Sequence, residues 1–80
     1  MIDYRTARAK ALALAQELPG NVTVDSNHVK TISVDGRRFI ACANWKDVLH
    51  VLRGMGRVAA AGKSYLDEYE WLMSLHDGKQ

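Results

Sequence analysis

The dipeptide Asp35-Gly36 constrains this chain more than any other feature. It stands between two apolar-containing runs, His28–Val34 and Arg37–Ala43, and suits a two-residue type I′ turn whose central residues both need φ > 0. The turn fixes a register. With Val34 opposite Arg37, a regular ladder pairs Ser33 with Arg38, Ile32 with Phe39, Thr31 with Ile40, Lys30 with Ala41 and Val29 with Cys42. One face then carries Ile32, Val34, Phe39 and Ala41, and the other Val29, Thr31, Ile40 and Cys42. Apolar residues on both faces predict helices over one side and partial cover on the other.

The hairpin runs straight into the clearest helix. Asn44 is a good N-cap, Asp47 at N3 sits where the helix dipole favours negative charge, and Ala43 with Val48 makes a weak hydrophobic staple. Over Trp45–Met55, a rotation of about 100° per residue gathers Trp45, Val48, Leu49, Leu52 and Met55 in one arc. Lys46, His50, Arg53 and Arg57 fall opposite, within about 60° of one another.

On either side of this unit the signals are plainer. Asp3 caps a helix predicted over Tyr4–Leu18, which stops at Pro19-Gly20 and shares Tyr4, Ala7, Ala11, Leu14, Ala15 and Leu18 on one face. Its alanines favour helix and allow close approach to a sheet while burying little each. Asn21–Asp25 alternates as a short strand, and Ser26-Asn27 reads as the turn into the hairpin. With a two-residue turn, Val24 faces Val29 and Val22 faces Thr31. The helix-covered face is then expected to hold Val22, Val24, Val29, Ile40 and Cys42, leaving Ile32, Val34 and Phe39 outward.

Gly56 to Ser64 superficially resembles a phosphate-binding loop, but five residues rather than four separate Gly56 from Gly62, and no strand precedes it. It is read as a partly helical linker. Ser64, with Asp67 at N3, starts a last helix expected over Tyr65–His76 and ended by Asp77-Gly78. Its apolar arc of Leu66, Tyr69, Leu72, Met73 and Leu75 is broad, with Trp71 at one edge, which predicts more than one neighbour, in this chain or a second copy. The fold class is therefore α+β: one domain over residues 1–80, with an N-terminal helix, a three-stranded antiparallel meander and two C-terminal helices packed on one sheet face.

A chain of 80 residues buries only about 60–65% of its unfolded surface, so homodimerisation is a natural expectation. One cysteine excludes an internal disulfide; no apolar run approaches the roughly 20 residues that span a membrane, and Arg5, Arg8 and Lys10 break up any signal-peptide core. A cytoplasmic location is expected.

Net charge is only +2, but it is segregated: residues 44–63 carry +3 and residues 64–80 carry −3. Such an arrangement draws the last two helices together or brings two copies head to tail. Cys42, His28, His50 and His76 are the soft metal ligands, and none forms a tight pair, so no metal or other cofactor is expected. A thiol nucleophile at Cys42 with His50 as base would need an accessible cysteine, and Cys42 is expected under the helices. No catalytic motif remains, and the chain is expected not to be an enzyme.

The polar candidate is the stripe Lys46, His50, Arg53 and Arg57, extended by Arg37 and Arg38 beside the turn and by the outward Ile32, Val34 and Phe39. Basic residues there suit an acidic protein surface, and nucleic-acid phosphates are the alternative. Low net charge, the acidic last helix and the absence of aromatics on that face weigh toward protein.

In layout, the chain resembles small phage-encoded inhibitors of host machinery, anti-CRISPR proteins among them. The likeness lies in a compact α+β unit without a catalytic motif and in the strand-to-helix step Arg37-Arg38-Phe39-Ile40-Ala41-Cys42-Ala43-Asn44-Trp45-Lys46-Asp47-Val48-Leu49. The resemblance implies a non-enzymatic protein-binding module that blocks a surface of a larger host complex, such as a nucleoprotein assembly. It assigns no individual residue.

Overall fold

A computed structural model describes residues 4–27 and 29–76, without the side chains of Tyr4, Arg5 and His76. The Asp3 cap, His28 and the Asp77-Gly78 stop lie outside the described residues. The element order is α1 (Tyr4–Glu17), β1 (Val22–Ser26), β2 (Lys30–Val34), β3 (Arg37–Cys42), α2 (Trp45–Ala60) and α3 (Tyr69–His76). The strands form one antiparallel sheet in the order β1-β2-β3, so the α+β layout read from the sequence is the architecture of the chain.

The hairpin turn is where the sequence places it. Asp35 and Gly36 have φ of 54° and 80°, the left-handed pair a type I′ turn requires, and the Asp35 amide donates to the Asn21 carbonyl at 3.1 Å, tying the turn to the α1–β1 connection. Val34 pairs with Arg37 and Ser33 with Arg38. The regular ladder then breaks, because Ile32 pairs with Ile40, Thr31 with Ala41 and Lys30 with Cys42, leaving Phe39 as the extra residue of a β-bulge.

This bulge corrects the expected faces. From Phe39 outward the partners shift by one, which turns Ile40 and Cys42 to the same side as Ile32. A second offset lies at the β1–β2 connection. Val24 pairs with Ile32 and Val22 with Val34, so three residues rather than two separate the paired Ser26 and Lys30. The covered face is thus Val22, Val24, Ile32, Val34, Ile40 and Cys42, and Val29 is exposed. Ile32, expected outward, has no exposed surface. The opposite face carries Thr23, Asp25, Thr31, Ser33, Arg38 and Ala41, all exposed or half-exposed, so among the described residues the sheet is covered on one side only.

α1 and α2 cover that side. Ala7, Ala11 and Ala15 are buried, and their small side chains seat α1 against α2 as well as β1. The Arg8 guanidinium lies 5.8 Å from the ring centre of the buried Trp45. In α2 the Asn44 side chain accepts from the Asp47 amide at 2.9 Å, completing the expected N-cap, and Trp45, Val48, Leu49, Val51, Leu52, Met55 and Val58 are buried along the inner face. The helix does not stop at Met55. It absorbs most of the stretch read as a linker and ends in a Schellman motif, in which the Gly62 amide bonds the Ala59 carbonyl and the Lys63 amide bonds the Val58 carbonyl, both at 3.0 Å.

The last helix is shorter than expected. Ser64 accepts from the Leu66 amide at 3.2 Å, so its hydroxyl caps a turn rather than the helix itself. Residues 65–68 wind through bonds from the Glu68 amide to Tyr65 and from the Tyr69 amide to Leu66, and α3 begins at Tyr69. α3 packs on α2 through the fully buried Leu72. At its start, Tyr69 meets the Phe39 ring edge-on at 5.5 Å. No described helix is long and apolar enough to cross a membrane.

Candidate partner-binding surface

α2 presents its polar stripe as the sequence requires. Lys46, His50, Arg53 and Arg57 are all exposed, on the side of the helix away from its buried residues. None of the four side chains makes an ion pair or hydrogen bond with another described residue. They line a groove of about 720 Å³ that also touches Asn44, Asp47, Gly54 and, from α3, Leu75.

The groove depends on Gly54. A Cβ there would run into the Leu75 side chain and lie 3.0 Å from a Leu72 methyl, so with any other residue these leucines would have to shift for α3 to lie this close. That close approach brings Leu75 to the edge of the cationic stripe. Trp71, on the same helix, is 40% exposed despite its size. It lines a neighbouring depression of about 250 Å³ with Arg57, Lys63 and Glu68. Sequence reasoning placed Trp71 at the edge of an apolar arc and missed its meeting with the basic stripe, because that depends on how α3 crosses α2.

The other expected contact residues divide. Arg37 and Arg38 are exposed; Val34 and Phe39 are half-buried against the core; Ile32 is enclosed and offers no surface. The bulge leaves Phe39 without a partner residue on β2 and against Tyr65 and Tyr69, while Ile40 takes the place opposite Ile32. A recess of about 270 Å³ collects Val34, Arg37, Arg38, Phe39, Tyr65 and Leu66.

Cys42 is 1% exposed, and burial, with a smaller contribution from the nearby Asp47 carboxylate, pushes its thiol up to about 12. It is protonated at neutral pH and shielded, whereas His50 is on the exposed side of α2. The structure does not bring them together as nucleophile and base. Among the described residues no group of three or more His, Cys, Asp or Glu side chains is placed to hold a metal ion. Compared with models of known families, with curated proteins and with solved structures, the chain matches none of them.

Proposed function

We propose that this chain is a non-enzymatic protein-binding module that docks an acidic surface of a larger partner through the outer face of α2. One observation carries the reading: four exposed basic side chains, none in an ion pair with a described residue, line a groove that holds a single carboxylate, Asp47, and is edged by an apolar α3 residue. The fold gains little from this arrangement. Arg53 and Arg57, four residues apart, repel by about 0.2–0.5 kcal/mol, and the dipole's penalty on Lys46 in the first turn offsets its favour for Arg57 in the last. Occupying such a surface blocks it to other ligands, the mode of action that the layout resemblance to phage-encoded inhibitors implies.

The second reading, a small nucleic-acid-binding regulator, is favoured by Trp71 beside Arg57 and Lys63, since an exposed indole next to cations is a stacking platform. Affinity capture from the native host with nuclease-treated extract separates the two. The protein reading expects a partner that survives nuclease and is lost with the double variant Arg53→Glu/Arg57→Glu. Capture that disappears with nuclease supports the regulator instead.

A further inference from the structure

The recess between β3 and the turn before α3 sets an exposed leucine beside aromatic rings that are anchored in the core. Leu66 is 74% exposed, the most exposed large apolar residue among those described. Phe39 and Tyr65 stand beside it with ring centres 6.3 Å apart. Tyr65 is fixed by its hydroxyl, which donates to the Pro19 carbonyl at 2.7 Å, so this wall is held in place before any ligand arrives. Arg37 and Arg38 border the recess, both exposed and without an ion-pair partner among the described residues. Phe39, the extra residue of the bulge, joins these parts by meeting Tyr65 and Tyr69 while Ile40 takes the place opposite Ile32.

Size and charge decide the occupant. A volume of about 270 Å³ falls below the roughly 300–1,000 Å³ of cofactor and drug-sized sites, and suits one large side chain with its flanking backbone. Two unpaired guanidiniums at an apolar recess complement carboxylates beside that side chain. We infer that the recess binds an acidic peptide segment of a partner, with one leucine-sized apolar side chain between Phe39, Tyr65 and Leu66 and its neighbouring carboxylates on Arg37 and Arg38. This site is separate from the α2 groove and stands or falls independently of it.

The test is amide chemical-shift titration of the intact, isotope-labelled chain with the capped peptide Asp-Glu-Leu-Asp-Glu, its Asp-Glu-Gly-Asp-Glu counterpart and a short oligothymidylate. Saturable shifts are expected at residues 37–39 and 64–66 with the leucine peptide, weakened about tenfold or more when leucine becomes glycine, the worth of one buried side chain. Leu66→Ser and the pair Arg37→Glu/Arg38→Glu should each weaken binding at least fivefold, while Lys10→Glu, a charge reversal at an exposed position of α1, leaves it unchanged; Leu66 is too exposed for its loss to unfold the chain. The inference is overturned by equal binding of the glycine peptide, by shifts confined to residues 46–57, by oligothymidylate competing at the same amides, or by no saturable shift at millimolar peptide.

Discussion

Two glycines two residues apart in α2 have opposite demands. A Cβ on Gly54 would collide with Leu75 and crowd Leu72, whereas one on Gly56 would meet only a Leu18 methyl at 3.5 Å, an ordinary contact. Alanine is the better helix former by about 1 kcal/mol at either site. At Gly54 overpacking should outweigh that gain, so Gly54→Ala is expected to destabilise by about 1–3 kcal/mol, while Gly56→Ala is neutral or stabilises by up to about 1 kcal/mol. Urea denaturation of the two variants checks this, and equal effects would contradict the packing described at Gly54. At the same scale, burial raises both the Cys42 thiol and the Tyr65 hydroxyl above their ordinary values of 9.0 and 10.0. The folded chain therefore holds these protons more tightly than the unfolded chain. The thiol's contribution is complete below about pH 9 and is lost as pH rises toward 12, with a slope of about 1.4 kcal/mol per pH unit; the Tyr65 hydroxyl's is lost in the same direction, at alkaline pH. Cys42→Ala should flatten the stability profile between pH 9 and 11, and an unaltered slope would show that the thiol does not titrate as described.

At the level of elements, the hairpin turn tests backbone conformation in isolation. Nothing lies within 4 Å of a Cβ on Gly36, so a side chain there meets only the penalty of φ 80°. Gly36→Val should lower stability by about 1–2 kcal/mol, and Gly36→Asn by clearly less, because asparagine tolerates the left-handed region. Equal losses in thermal unfolding would point to something other than φ. This turn, the Asn44 cap and the inner face of α2 were legible in the sequence because each is a local signal: a dipeptide with a fixed geometry, a side chain and an amide three residues apart, a 3.6-residue period. The sheet faces were not. Phe39-Ile40-Ala41-Cys42 does not alternate cleanly, and an extra residue lets the adjacent Phe39 and Ile40 both find apolar neighbours on different elements. Counting outward from a turn assumes a regular ladder, so one bulge reverses every later assignment. The start of α3 was missed for a related reason: Ser64 carries a capping signal, and a turn satisfied it before the helix began.

Across the whole molecule, the basic face of α2 was readable from spacing, but the apolar residues beside it were not. Ile32, Val34 and Phe39 belong to the core or to the separate recess, and α3 supplies Trp71 and Leu75 instead. α2 and α3 carry opposite net charge and pack together, yet no ion pair joins them among the described residues, so their packing rests on Leu72 and the space at Gly54. The cations are thus available for long-range steering, and the indole for short-range contact. For a protein partner these roles separate kinetically. Arg53→Glu/Arg57→Glu should slow association about tenfold or more at low salt and reduce its salt dependence, because steering acts before contact. Trp71→Ala should leave association nearly unchanged and speed dissociation about tenfold or more, because a partly exposed indole covered by a partner is a typical hot spot. Nucleic acid predicts another pattern. There the charge reversals should nearly abolish binding, the affinity of the unaltered chain should fall steeply with the logarithm of salt, and Trp71→Ala should weaken single strands more than duplex. Surface-plasmon measurements on an identified partner at two salt concentrations distinguish the patterns. Rates unaffected by either substitution, with the fold intact, would leave the α2 stripe as a solvated surface and place the interface elsewhere.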